Sequence, residues 1–232
     1  VISGFATALR DGTATGDAAG AAAKAIEEEA GRLERLVGEL GEIERLRAAG
    51  AGGIAPRQGA DIDVGAGGPA VVAGLRPEAL EAVAILGATG ERFGARAARA
   101  DVELAVGPPP AGVDPAFVAD ELAVERMLGN LVDNALAATP AGGHVRLEAR
   151  AAAVGARPAI AIDVIDDGPG FPAGQADRAF ERFWRGEPSR AGGGSGLGLA
   201  IVRELARAHG GDAHAENIEP HGARVGVVLP RG

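Results

Sequence analysis

Residues 160–171 read Ile-Ala-Ile-Asp-Val-Ile-Asp-Asp-Gly-Pro-Gly-Phe, and the fold class turns on them. Ile160, Ile162 and Val164 repeat every second residue, the period of a strand with one buried face. The strand stops at Asp166-Asp167, where Gly168, Pro169 and Gly170 supply turn chemistry. Upstream, His144 to Arg150 has the same period, with Val145 and Leu147 inward and Arg146 and Glu148 outward. Downstream, Arg224 to Leu229 reads as a last strand. The strands come as hairpin-like pairs without regular βαβ alternation. The expected fold is therefore α+β, a two-layer sandwich, and not a doubly wound parallel sheet.

The helices are placed around these strands. Phe117 to Thr139 carries a long helical period, ended by Pro140-Ala-Gly-Gly. Leu197 to His209 is a second helix, closed by Gly210-Gly211. Pro77 suits the first turn of a third, which continues through Leu80, Val83, Ala84 and Phe93 to about Ala98. Asp101 to Val106 reads as a strand stopped by Pro108-Pro109-Pro110. Residues 48–70 are rich in Gly and Ala and lack periodicity, which marks a boundary.

At the N-terminal end, Ile2, Phe5 and Leu9 follow helical spacing as far as Asp11-Gly12-Thr13. Asp17 is positioned to cap a helix running to about Ala49. Ile26, Leu33, Leu36, Leu40 and Ile43 fall on a and d of a heptad, flanked by Glu27, Glu28, Arg32, Glu34, Arg35, Glu39 and Glu44. One such helix cannot bury its own stripe. The expectation is a helical hairpin over residues 1–49 that pairs with a second copy into a four-helix bundle, then a linker at 50–74 and a separate domain at 75–232.

Composition bounds the chemistry. Among 232 residues there is no Cys, which excludes disulfides, thiolate metal sites and cysteine nucleophiles. A net charge of −9 argues against a broad nucleic-acid surface. No apolar run reaches membrane-spanning length, and the chain starts without an initiating Met or a signal peptide, so it reads as a soluble piece of something longer. Gly accounts for 38 of the 232 residues. A pattern with three fixed glycines is then expected about once by chance, and only the company such a motif keeps is informative.

Four stretches carry candidate chemistry. Asn130 and Asn134, four apart on the long helix, leave one face, and amide oxygens are hard neutral ligands of the kind Mg²⁺ accepts beside phosphate and water. Asp166 at a strand end can accept a hydrogen bond from an exocyclic amine, with Gly168 and Gly170 letting backbone pass close to a flat ring. Phe180, Phe183 and Trp184 gather three of the chain's seven Phe and Trp residues into five positions. Gly192 to Leu199 leads a flexible Gly-rich loop straight into a helix, which suits a polyphosphate. Taken singly, each has a plain structural alternative: surface amides, a turn after a strand, local packing, a glycine-rich loop.

Their order is more specific. The Asn helix, Asp-x-Gly-x-Gly, Phe-x-x-Phe and Gly-x-Gly-Leu-Gly-Leu follow one another within about 70 residues. This conjunction resembles the ATP-binding catalytic domain of bacterial sensor histidine kinases, of the Bergerat-type or GHKL superfamily. The stretches resemble its N, first glycine, F and second glycine boxes. Ala208-His209-Gly-Gly and Ala215-Glu216-Asn217 are also similar to it. Ile26-Glu-Glu-Glu-Ala and Arg32-Leu-Glu-Arg-Leu-Val resemble the family's dimerisation and phosphotransfer hairpin.

The resemblance implies that ATP and Mg²⁺ bind between helices and a mobile lid. Asp166 would take the adenine amino group, with Gly168 and Gly170 beside the ring. Asn134 and Asn130 would hold Mg²⁺. Gly194, Gly196, Leu197 and Gly198 would approach the phosphates, Arg190, Ser195 and Arg185 would lie near the terminal one, and Phe180 and Phe183 would anchor the lid. It further implies a homodimer through residues 1–49, a response regulator receiver domain as partner, and a membrane-anchored parent. The implied activity is transfer of the γ-phosphoryl to a His for relay to a response regulator Asp.

Two departures stand out. Ala137 and Ala138 occupy positions where the family carries basic or aromatic residues, which keeps open the alternative of a degenerate, nucleotide-binding regulatory module. The phosphoacceptor His motif is absent ahead of the first helix; His144, His209, His214 and His221 all fall in the ATP domain. The chain is thus expected to bind ATP without phosphorylating itself. Against hydrolytic relatives of the gyrase and chaperone kind, and against anti-sigma serine kinases, stands Asn130. Those members carry Glu there as general base, and an amide cannot take a proton.

Overall fold

The computed structural model describes residues 2–50, 75–108, 114–185 and 195–232. They divide into two compact units, Val1–Glu42 and Ile43–Gly232. The first holds α1 (Ile2–Arg10) and, after a short turn, α2 (Asp17–Gly50) as far as Glu42. Gly12 and Gly16 take positive φ there, and Asp11 Oδ1 accepts from the Thr13 amide at 3.1 Å. On α2, Ala22 is buried and Ile26 and Leu40 are half-buried, while Val37, off the heptad stripe, is exposed. The side chains of Leu33 and Leu36 lie outside the described residues, as does the expected linker beyond Gly50.

The second unit runs β1 (Glu78–Glu81), α3 (Ala82–Arg99), β2 (Glu103–Val106), β3 (Ala116–Ala119), α4 (Glu121–Ala138), β4 (His144–Val154), β5 (Arg157–Asp166), α5 (Gly198–Ala208), β6 (Asp212–Asn217) and β7 (Ala223–Pro230). Five strands form one mixed sheet in the order β2-β4-β5-β7-β6, with only the β2–β4 pair parallel. The register aligns Leu147 with Val164 and Val164 with Val225, and Ala149 with Ile162 and Ile162 with Val227. These residues are buried, as are Leu128, Leu131, Val132 and Leu136 of α4 and Ile201 and Leu205 of α5. One sheet face with its helices thus makes the apolar core, and the α+β expectation holds. Among the described residues no helix is long and apolar enough to cross a membrane.

Two local expectations are corrected. Residues 78–81, expected as a first helical turn after Pro77, form β1, which pairs antiparallel with β3 and sets buried Leu80 opposite buried Phe117. The start of the long helix moves for the same reason: Ala116–Ala119 is a strand, and α4 begins only after Asp120, whose Oδ1 accepts from the Ala123 amide at 2.9 Å. Cross-strand pairing and burial here override helical spacing. Residues 212–217, to which the sequence reading assigned no element, form the edge strand β6. Its small alternating residues Ala213 and Ala215 gave a weak strand signal.

The sheet's other face is charged. At its centre the Asp163 side chain is 0% exposed. Arg150 Nε donates to Oδ2 at 2.7 Å, His214 Nε2 lies 2.8 Å from Oδ1, and Arg224 Nε stands 4.0 Å from Oδ2. Burial opposes the carboxylate, but His214 and Arg150 outweigh it and hold Asp163 below its ordinary value. A carboxyl depressed by folding contributes stability that is present above its unfolded value and lost as pH falls through the folded one. Acid unfolding should therefore begin below about pH 4, and Asp163→Asn should flatten that limb. Asp163→Ala, which leaves converging bases uncompensated, should cost about 3 kcal/mol at neutral pH. Urea titrations between pH 2 and 7 measure both; an unchanged acid limb in Asp163→Asn would contradict the assignment.

Candidate functional site

α4 is the axis of the site. Asn130 and Asn134 lie one turn apart on it, Asn130 half-buried and Asn134 exposed. The Asn130 Nδ2 atom is buried without a hydrogen-bond partner. A buried amide of this kind calls for an acceptor, and turned over it offers its oxygen to a cation instead. The start of α5 abuts it: a Cβ on Gly198 would stand 3.5 Å from Asn130 Oδ1. α5 begins after Leu197 with no side chain capping its first turn. Its leading amides therefore point, with the positive end of the helix dipole, toward the Asn130 region. Leu197 is fully buried and fixes that end, and its amide donates to Ser195 Oγ at 3.1 Å.

At the C-terminal end of α4 lies the Asp166 turn. β5 carries Asp166 into the helix-facing layer, where it is 2% exposed. Burial pushes its carboxyl up to about 6, against the opposing amides of Gly168 and Ala223. Its Oδ1 accepts from the Gly168 amide at 2.8 Å. The neighbouring Asp167 points to the surface, bonded to the His144 amide and ring, and is held low by that contact. Adjacent acids thus have opposite environments because the strand pleat sends them to opposite faces. Gly168 packs against the end of α4, where a Cβ would meet Ala138 O at 3.0 Å. Only glycine fits this approach.

The loop after Asp166 is held by a residue to which the sequence assigned no role. Asn217, at the end of β6, accepts from the Phe171 amide at 2.7 Å and donates to the Phe171 carbonyl at 2.8 Å. One side-chain amide thus satisfies both backbone groups of Phe171, beside the positive-φ turn at Gly170. The ring of Phe171 meets Trp184 at 6.1 Å between centroids, tying this loop to the aromatic segment.

Of the two expected aromatic anchors, Phe180 is buried, with the Arg203 guanidinium 5.4 Å over its ring. Phe183 differs: its ring is 56% exposed and its φ is +63°. Its backbone makes the tie, donating to Gly196 O at 2.9 Å. Gly196 itself has φ +72°, and a Cβ there would meet the Phe183 backbone at 2.9 Å, so the contact is backbone against backbone. Arg185 lies just beyond Trp184; Arg190 and Gly194 are outside the described residues. Structure thus gathers Asn130, Ser195, Gly196, Leu197 and Gly198 near the middle of α4, and Asp166, Gly168 and Gly170 at its C-terminal end.

Among the described residues no cluster of three or more His, Asp or Glu side chains forms a metal cage. A divalent cation here would depend on amide oxygens together with oxygens of a bound ligand and water, which is the way Mg²⁺ is commonly held.

Comparisons with known proteins bear on the family and the fold. The family described as histidine kinase-, DNA gyrase B- and HSP90-like ATPase matches residues 119–232. The sensor histidine kinase WalK of Bacillus subtilis is 37% identical over 113 residues, 48% of this chain and 18% of WalK. The histidine-protein kinase/phosphatase MprB of Mycobacterium bovis is 42% identical over 115 residues, 48% of this chain and 22% of MprB. The chain therefore spans only about a fifth of the curated relatives it matches. Among solved structures, full-length ShkA in complex with AMPPNP superposes with TM-score 0.64 at 26% identity, over 93% of this chain and 39% of ShkA. The histidine kinase AdeS of Acinetobacter baumannii shares the fold with TM-score 0.66 at 19% identity, over 100% of this chain and 93% of that one. Motif order, fold and relatives converge: residues 119–232 match the histidine kinase-, DNA gyrase B- and HSP90-like ATPase family, and the curated relatives similar to them are sensor histidine kinases.

Proposed function

We propose that this chain is the kinase core of a two-component sensor, binding Mg²⁺-ATP along α4 and delivering the γ-phosphoryl to a His for relay to a response regulator Asp. One observation carries it. The two ends of the site are separated by the eight residues from Asn130 to Ala138, about 12 Å of helix. A buried carboxylate stands at one end, and an uncapped helix N-terminus with an unpartnered amide at the other. That polarity fits an extended nucleoside triphosphate, base at Asp166 and phosphates at Gly198. The AMPPNP held by ShkA supports the same reading.

In this reading Asp166 accepts the adenine amine, and Gly168 lets the ring approach the end of α4. Gly196 and Gly198 give the phosphates close access to backbone amides, with Ser195 and Arg185 nearby and Gly194 and Arg190 preceding them. Asn134 and Asn130 hold Mg²⁺, which when bound neutralises developing charge on the transferred group. Asn130 cannot accept a proton, so it cannot serve as the general base that would activate water. The rest of the machinery is positioning and electrostatics, the main terms in phosphoryl transfer.

Residues 1–49 supply the dimer, a response regulator receiver domain is the downstream partner, and the assembly works in the cytoplasm beneath a membrane-anchored sensor. α1 and α2 contain no His, so residues 1–232 alone should bind ATP and remain unlabelled. Ala137 and Ala138 favour one second reading, a degenerate module that binds nucleotide without transferring phosphate.

Calorimetry with ATP and GTP tests the base end. A site built to pair with a polar group rejects an analogue lacking it by orders of magnitude. Asp166→Ala should abolish the preference for ATP. Because Asp166 titrates near 6, the ATP-to-GTP affinity ratio should fall as pH drops through that value, and stay flat in Asp166→Asn. Equal affinities in the unmutated protein would end the adenine role.

Incubation with γ-labelled ATP tests the transfer. Residues 1–232 should take up no acid-labile, base-stable label, whereas a longer chain carrying an acceptor His should. A longer chain that binds ATP but stays unlabelled would favour the degenerate module. The dimer is tested by sedimentation: Leu33→Glu with Leu40→Glu should give a monomer that still binds nucleotide. An unmutated chain that is monomeric at high micromolar concentration would contradict dimerisation through these residues.

A further inference from the structure

α5 runs antiparallel to α4, and two contacts define their relative height. At one end Gly198 lies against Asn130. At the other, His209, the residue that closes α5, reaches Asp120, the residue that caps α4. Its Nδ1 is 2.7 Å from Leu205 O within its own helix, and its Nε2 is 3.1 Å from the Asp120 amide. A ring that gives its one proton to the Leu205 carbonyl through Nδ1 must present Nε2 as an acceptor, and Asp120 N–H fills it. The spans agree: ten residues of α4 from Asp120 to Asn130 and eleven of α5 from Gly198 to His209 each cover about 15–16 Å.

Asp120 is itself a junction. Its Oδ1 caps α4 through Ala123, and its Oδ2 accepts from the Arg76 amide at 2.7 Å just before β1. The imidazole therefore ties the C-terminus of one site-bearing helix to the fixed origin of the other. Packed α-helices can shift along one another by small shear movements. A polar tie at one end sets the height at the other, where Gly198 meets Asn130.

We infer that His209 is a positioning residue that locks the axial register of α5 on α4, and so places the amides of the second glycine segment opposite Asn130. The inference rests on the nucleotide reading for its consequence but not for its geometry. Losing the tie leaves α5 distributed over several heights. Apparent nucleotide affinity then falls by the fraction of molecules in the competent one.

Two variants separate this from a merely structural role. In His209→Asn the side chain can still reach Leu205 O but is too short for Asp120. In His209→Gln the amide oxygen reaches the position of Nε2 and restores an acceptor. Mg²⁺-AMPPNP affinity should fall about three- to tenfold in His209→Asn, the size of one lost hydrogen bond, and recover to within about twofold in His209→Gln. Hydrogen exchange at the Asp120 amide, measured without nucleotide, should speed up about tenfold in His209→Asn and stay slow in His209→Gln. Wild-type affinity and exchange in His209→Asn, or equal weakening in both variants with folding preserved, would overturn the assignment. Should the unmutated protein bind no nucleotide, the functional reading fails, and the exchange at Asp120 still decides the role of His209.

Discussion

Gly168 rests against the last carbonyls of α4, and the layout of the candidate site follows from that approach. A side chain at this position would collide with Ala138 O and with the carboxylate of Asp166. With hydrogen there instead, the strand β5 can end directly beneath the helix. The ladder β4-β5-β7 fixes where β5 ends, because Asp166 pairs with Val145 on one side and Ala223 on the other. The register of an antiparallel ladder is not adjustable by one residue without turning the buried face outward. The height of Asp166 relative to α4 is thus set by the core, and α4 then measures the distance to Asn130.

The energetic consequence is a site whose polar groups are deliberately under-satisfied. Burial of Asp166 outweighs the amides of Gly168 and Ala223 and pushes its carboxyl to about 6. Asn130 keeps a buried donor without a partner. Such groups cost free energy in the empty protein, on the order of 1–3 kcal/mol each, and recover it when a ligand supplies the missing partners. Asp163, on the opposite face, is equally buried but ringed by Arg150, His214 and Arg224, and its carboxyl is held low. Two acids on one strand thus mark the difference between a structural and a ligand-ready carboxylate.

The sequence disclosed the features that depend on local period and composition. Alternation located β4, β5 and β7, and helical spacing located most of α3, α4 and α5. It failed where a distant partner decides. Glu78–Glu81 is a strand because Phe117 lies opposite Leu80. The cap at Asp120 and its link to His209 join positions 89 residues apart. Asn217 was visible as part of a resemblance, but its clamp on Phe171 spans 46 residues and has no local signature. Phe183 was read as a ring anchor, whereas its backbone, held at positive φ against Gly196, does the work. A lone glycine motif said little in so glycine-rich a chain; its value came from standing fourth in a fixed order.

The claim that a nucleotide lies along α4 with its base at Asp166 and its phosphates at Gly198 is tested most directly by paramagnetic broadening. ¹⁵N spectra recorded with AMPPNP and substoichiometric Mn²⁺ in place of Mg²⁺ locate the cation by distance. The account predicts strongest broadening at the Asn130 and Asn134 side-chain amides and the Gly198 amide. Gly168 should shift on nucleotide binding yet broaden less than Gly198, since along the helix it stands about 12 Å from Asn130 and about 6 Å from Asn134. Broadening centred on Gly168 and Asp166, or no change at Gly198, would contradict it.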